Sequence, residues 1–314
     1  MAVLLLAAGG TIASRATPEG VRSVLTGAEL VERAELAGGG IDVVDIAHGA
    51  SWSLAPEGAV AIARAAVGAA TAGRHEGVVV THGTDTLEET AFLAWLIGGA
   101  AASERCPIVV TGAMRHDGHE DADGPANLRD AVELARAGGR PGPIVHLGGT
   151  SLHARWATKS DTSALDTFRA VGAGSPSPPA PPPSHGDDVE AHVVQVQSHT
   201  GASAGVLDWH LGHGALGIVV EGTGSGNVHG ELVPAVERAL AAAVPVVVTS
   251  RCSTGPVSAT YGGPGGGRQL AELGCIAAGD LPTHKARVAL AVALGADPAV
   301  DAVRSWFDQL VGGW

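Results

Sequence analysis

The sequence predicts a two-domain α/β/α protein, with a larger N-terminal domain built on a mostly parallel, flavodoxin-like sheet and a smaller C-terminal α/β domain. Three observations predict it. Strand-length apolar runs alternate with helical patterns, each run ends in a turn rich in glycine and threonine, and one proline-dense stretch divides the chain. Alternation of this kind implies βαβ units and a parallel sheet covered by helices on both faces. Composition agrees, being rich in Ala, Val, Leu and Gly and poor in aromatic residues, as suits strands buried on both sides and helices packed closely on them.

The first strand is read at Val3–Ala7. The segment Met1–Ala8 has the apolar character of a signal-peptide core, but it lacks a basic lead and falls short of the roughly 20 residues of a membrane span. It is therefore expected to be a buried strand, in a chain that stays in the cytoplasm. Helix Pro56–Ala72, strand Val78–Thr81, helix Thr86–Ile97, strand Ile108–Thr111, helix Pro125–Ala137 and strand Ile144–Leu147 follow. At Gly172–Asp188 the prolines become too dense for helix or sheet, which predicts an interdomain linker. That divides the chain into a catalytic domain at 1–171, the linker at 172–188 and a second domain at 189–314. The second domain reads as strand Val193–Gln197, strand Ile218–Glu221, turn Gly222–Asn227, helix Glu231–Ala243, strand Val244–Thr249 and the helix pair Thr283–Leu294 and Pro298–Leu310.

Several function classes are disfavoured at once. A formal net charge of −13 argues against nucleic acid and against an anionic membrane surface as partners, and chiefly favours solubility. Three scattered cysteines, without a CxxC pair, indicate neither a zinc site nor a disulfide framework and suit a reducing compartment. The run His116–Asp123 has no regular ligand spacing and reads as a solvated polar loop, so no metal is expected. Gly222–Asn227 lacks the spacing of a dinucleotide turn.

The chemistry lies in the turns. In parallel sheets, ligands bind beyond the carboxyl ends of the strands, and each candidate turn falls there. Gly9-Gly10-Thr11 lets the backbone bend sharply and approach a ligand, with a hydroxyl at the strand end; on this stretch alone, a capping or phosphate-binding turn is the better reading. His82-Gly83-Thr84-Asp85-Thr86-Leu87-Glu88-Glu89-Thr90 places hydroxyls and carboxylates directly after a buried strand. The helix dipole accounts well for Glu88 and Glu89 and less well for the Thr84-Asp85 pair. Thr158-Lys159-Ser160-Asp161-Thr162 adds a lysine that elsewhere would be a surface charge.

Taken together, Gly9-Gly10-Thr11-Ile12-Ala13, the His82–Thr90 turn, Thr111-Gly112-Ala113-Met114-Arg115, Asp123-Gly124-Pro125-Ala126-Asn127-Leu128 and Thr158–Thr162 resemble the bacterial L-asparaginase family. The likeness continues in Gly224-Ser225-Gly226-Asn227, Ser250–Gly255 and Ala277–Arg287, and so covers nearly the whole chain. It implies hydrolysis of asparagine to aspartate and ammonia without a cofactor, in a homodimer or homotetramer with sites at the subunit interface. By motif, Thr11 would be the nucleophile, and Thr84, Asp85 and Lys159 a second catalytic group. Asp85 would also bind the substrate ammonium, Ser51 its carboxylate, and Asn227 would be lent to a neighbouring subunit's site. Gly10, Trp52, Gly83 and Ala113 would complete the substrate contacts. Lys159 serves as a base only when neutral, a form that burial favours and the Asp85 carboxylate opposes.

The chain departs from the family in two places. The tyrosine that helps activate the nucleophile has no counterpart in Ser14–Leu25, and the one tyrosine, Tyr261, lies in the other domain. The late acidic residue that some members supply across the interface has no match in Gly262–Gly267. Another activating group, a slower enzyme or a different amide substrate would each account for this. Glutamine or another small amide is the alternative substrate, and a catalytically silent amino-acid-binding homologue the alternative class. A transamidase subunit is disfavoured because no further domain precedes the first strand.

Overall fold

A computed structural model describes residues 1–98, 106–139, 142–172, 180–183 and 189–314. It divides into two compact units, one containing Met1–Ala170 and the other the chain beyond the proline-rich stretch. Most of the linker expected at 172–188 lies outside the described residues.

The first unit is organised by a six-stranded sheet. Its strands are β1 (Val3–Ala7), β4 (Ile41–Asp45), β5 (Gly77–Thr81), β6 (Ile108–Thr111), β7 (Ile144–Leu147) and β8 (Thr150–His153), in the order β4-β1-β5-β6-β7-β8. All pairings are parallel except β7 with β8. The five parallel strands therefore run second-first-third-fourth-fifth, the flavodoxin-like order, with its switch point between β1 and β5. Every residue of β1, β5, β6 and β7 is buried, which is why these strands read as mainly apolar runs rather than alternating ones.

Helices cover both faces. On one, α1 (Gly27–Arg33) and α4 (Gly124–Ala137) join Val3, Leu5, Val79 and Val109 in a continuous core. Thr26 starts α1 with a capping box, accepting from the Glu29 backbone N–H while the Glu29 carboxylate accepts from that of Thr26. The sheet also packs against α2 (Pro56–Ala72) and α3 (Leu87–Gly98). In α2, Ile62, Ala66 and Ala70 recur four residues apart, a stripe small enough for close approach.

Two antiparallel pairs complete the unit. β2 (Ser14–Thr17) and β3 (Gly20–Ser23) form a hairpin directly after β1, and β9 (Ala157–Lys159) pairs with β10 (Phe168–Ala170).

The second unit is a parallel sheet of β11 (Val193–Gln197), β12 (Gly217–Gly222), β13 (Val246–Ser250) and β14 (Ile276–Ala277), in that order. Its helices are α5 (Gly205–Gly212), α6 (Val233–Ala241), α7 (Gly267–Leu273), α8 (Thr283–Ala296) and α9 (Val300–Val311). The helix expected at Glu231–Ala243 instead opens as a 3-10 turn, Gly230–Leu232, followed by α6. Pro234 sits in the first turn of α6, where its missing N–H costs nothing. Among the described residues no helix is long and apolar enough to cross a membrane.

Candidate active site

The site sits where β1 and β5 end side by side. Register pairs Ala7 with Thr81 and Thr81 with Thr111, so the turns that follow leave the sheet at one level. The ladder runs one residue further, through Ala8 N–H to Thr81 O and His82 N–H to Thr111 O.

Glycine is required where these turns meet. Gly10 has φ +84°, and a Cβ there would lie 2.4 Å from both Cα and N of Gly83. A Cβ on Gly9, at φ +75°, would lie 2.7 Å from the Gly49 carbonyl oxygen. These contacts bring Thr11, at the head of the 3-10 turn Thr11–Ala13, beside the Gly83-Thr84 turn. A Cβ on Gly83 would in turn lie 2.5 Å from Ser51 Oγ. The Ser51 loop is held there by Thr86, whose hydroxyl donates to the Ser51 carbonyl at 3.0 Å.

Lys159 reaches the same turn from β9. Its Nζ donates to Thr84 Oγ1 at 3.0 Å and pairs with Asp85 Oδ1 at 2.8 Å. Its backbone N–H donates to the carboxylate of Glu88, which is buried in the first turn of α3. Glu88 therefore anchors the strand that carries Lys159, a role beyond the dipole preference that explains its presence in sequence.

His82 is buried, with Nδ1 2.9 Å from the Gly83 carbonyl oxygen and Nε2 3.0 Å from Thr90 Oγ1. A carbonyl oxygen only accepts, so Nδ1 carries the proton and the Thr90 hydroxyl donates to Nε2. Burial, the main cause, pushes the imidazole's pKa below its ordinary value and so favours this neutral form.

A cavity of about 630 Å³ opens over these groups. Gly10, Thr11, Ser51, Gly83 and Asp85 line it, and Glu19, Val21, Arg22, Ser23 and Trp52 also face it. Thr84 is 4% exposed and does not line it. The hydroxyls of Ser51 and Ser23 are buried without a hydrogen-bond partner within the protein. Orphaned donors in a cavity wall are what a polar ligand or ordered water satisfies.

The structure thus gathers Gly10, Thr11, Ser51, Trp52, Gly83, Thr84, Asp85 and Lys159 in one place. Ala113 is fully buried and outside the cavity lining. Asn227 belongs to the second unit, where its Oδ1 accepts from the Gly267 N–H at 3.1 Å.

The wall that carries Val21 and Ser23 is the β2–β3 hairpin, held by one residue of the otherwise solvated run His116–Asp123, whose residues 118–121 are exposed. Asp117 is 7% exposed in its side chain and takes Arg15 Nε at 2.8 Å and Arg33 Nη1 at 3.1 Å. Its N–H donates to the Ser14 carbonyl at 2.9 Å. Asp117 is a clamp on the hairpin, and two arginines remote in sequence explain why it is buried. No group of three or more His, Cys, Asp and Glu side chains among the described residues is arranged to hold a metal.

Comparison with known proteins agrees with the geometry. Residues 2–177 match the family described as "Asparaginase, N-terminal", and residues 192–307 match "Glutaminase/Asparaginase C-terminal domain". A "Probable L-asparaginase" of Deinococcus radiodurans is 36% identical, over 97% of this chain and 96% of that protein. A glutamyl-tRNA(Gln) amidotransferase component of Methanothermobacter thermautotrophicus is 30% identical, over 84% of this chain and 64% of its own length. Among solved structures, the thermostable L-asparaginase from Thermococcus kodakarensis superposes with a TM-score of 0.84 at 28% identity, covering 99% of both chains.

Proposed function

The chain belongs to the asparaginase family, and on that premise we propose that it hydrolyses the side-chain amide of L-asparagine to L-aspartate and ammonia. The observation that carries the reading is the Lys159–Thr84–Asp85 cluster, set behind a cavity that Thr11 lines.

In this reading Thr11 Oγ1 attacks the amide carbon, and N–H groups of the glycine-rich turns stabilise the oxyanion. Ammonia leaves with the proton that Thr11 gives up, and a threonyl ester remains. The Thr84–Lys159 pair then activates the water that cleaves the ester. Asp85 takes the substrate ammonium, and the unpartnered Ser51 hydroxyl takes its carboxylate. Gly10, Gly83 and Trp52 frame the bound amino acid, with Ala113 packed behind them. Asn227 completes a neighbouring subunit's site in a homodimer or homotetramer. Every group that moves a proton here is a protein side chain or water.

Ammonia release from a panel of amino-acid amides tests the proposal. Asparagine is expected to be the preferred free amino acid, and Thr11→Ala is expected to abolish turnover. Intact protein that binds asparagine in calorimetry but releases no ammonia, in wild type and variant alike, would refute the enzymatic reading.

A further inference from the structure

We propose that Glu88 is a positioning residue for the reaction: it sets where the Lys159 ammonium meets Thr84, and through that the rate of the chemical step. This rests on the asparaginase reading above. Lys159 stands on a weak platform. Its strand β9 pairs with β10 through Ala157 with Ala170, Thr158 with Arg169 and Lys159 with Phe168, in a two-stranded sheet separate from the six-stranded one. Such a hairpin is marginal when isolated. The loop joining its strands is closed by bonds within itself. Ser160 N–H donates to the Thr167 carbonyl at 2.9 Å, and the Ser163 and Ala164 N–H groups donate to Asp161 Oδ1 at 2.8 Å. None of these bonds fixes β9 relative to Thr84.

Glu88 supplies such a tie. It is 7% exposed, and its carboxylate accepts from the Lys159 backbone N–H. A hydrogen bond to an ionised acceptor is shorter and roughly twice as strong as one between neutral groups. Thr84 and Asp85, at most four positions before Glu88 on the same turn, take the other end of the lysine at 3.0 and 2.8 Å. The short segment 84–88 therefore grips Lys159 at both ends, backbone and Nζ, from 71 positions away at Glu88.

The two grips have different consequences. Between them lies a flexible four-carbon stem, so Nζ keeps its place against Thr84 Oγ1 only while the backbone is held at the right depth. Catalytic groups work when held within roughly 0.5 Å of their productive geometry, and a displacement of about 1 Å can cost about a hundredfold in rate. Ser51, which meets the substrate carboxylate, lies on another loop, so losing the Glu88 tie acts on kcat more than on KM.

The test measures kcat and KM for asparagine in Glu88→Ala and Glu88→Gln, each alone and combined with Lys159→Met. Glu88→Ala is expected to lower kcat at least tenfold while KM stays within threefold. Glu88→Gln keeps an oxygen that accepts from the Lys159 N–H and is expected to stay within threefold of wild-type kcat. In the Lys159→Met background there is no ammonium to place, and Glu88→Ala is expected to change the residual kcat less than twofold. Where Glu88→Ala fails to fold, Glu88→Asp, whose carboxylate is drawn back by one methylene, gives the same comparison in both backgrounds. An equal loss in both backgrounds makes Glu88 merely structural and overturns the inference, as does a folded Glu88→Ala protein that keeps more than a tenth of wild-type kcat. Both results leave the asparaginase reading standing, whereas wild-type protein that releases no ammonia from asparagine overturns the two together.

Discussion

Replacing Lys159 with methionine removes the ammonium while keeping the reach of the side chain, and it separates catalytic from structural roles. The structural loss is small. The ion pair to Asp85 is worth about 1 kcal/mol or less, because the Asp85 side chain is 46% exposed and screened by solvent. The hydrogen bond to Thr84 adds about 1 kcal/mol. The backbone bond from Lys159 to Glu88 does not depend on the side chain and survives. A total near 2 kcal/mol leaves a protein of ordinary stability, about 5–15 kcal/mol, folded. Loss of general acid–base help costs roughly 10²–10⁴-fold in rate, or about 3–5 kcal/mol. The two effects are distinguishable: urea denaturation should show a modest fall in midpoint, while ammonia release falls at least a hundredfold at saturating asparagine. A folded Lys159→Met protein that retains more than a tenth of wild-type kcat would refute the assignment.

Other expectations follow from the same geometry. Gly10→Ala forces a side chain into a conformation essentially reserved for glycine, at about 1–3 kcal/mol, and drives its Cβ to 2.4 Å from the Gly83 backbone; the variant should be inactive, with a lowered Tm. The pKa of His82 lies below its ordinary value of 6.5 in the folded protein, so the unfolded chain binds its proton first as pH falls. The stability tied to neutral His82 is therefore complete above about pH 6.5 and declines below it, and His82→Gln should flatten the acid limb of the denaturation midpoint against pH. Asp117→Ala frees Arg15 and Arg33, both partly exposed, at roughly 1–2 kcal/mol; loosening the hairpin should raise KM more than it lowers kcat. Cys252 is exposed, whereas burial raises the thiol pKa of Cys106 and pushes that of Cys275 up to about 12. A thiol reagent at pH 8 should modify Cys252 alone in the native protein and all three cysteines in denaturant.

What could be read from sequence follows the range of the interactions involved. Strands buried on both faces announce themselves as Val/Ile/Leu runs, so β1, β5, β6 and β7 are plain. Edge strand β4, Ile-Asp-Val-Val-Asp, is only partly buried and carries no such run. The β2–β3 hairpin is polar, short and half exposed, so it reads as a loop. Helix α7 starts inside a glycine-rich stretch that hides its beginning. The turns after the strands are legible because each is a local sequence at a strand end, which is where parallel sheets place ligand sites.

The remaining parts of the site depend on contacts between distant residues. Lys159 meets Thr84 across 75 positions, and Arg15 meets Asp117 across 102. The strand order creates these meetings: β1 and β5 are neighbours although β4 lies between them in sequence. The crossovers diverge there, and the glycine turns can interlock without helix bulk between them. The hairpin that follows β1 then becomes a wall free to change, because it is clamped through Arg15 and Asp117 rather than built into the sheet. A substitution on its cavity face alters the shape of the site without disturbing the Thr84–Lys159 pair. On the asparaginase reading proposed above, the absence of a tyrosine from this hairpin bears first on which amide fits the cavity, and only secondarily on whether amide chemistry occurs there.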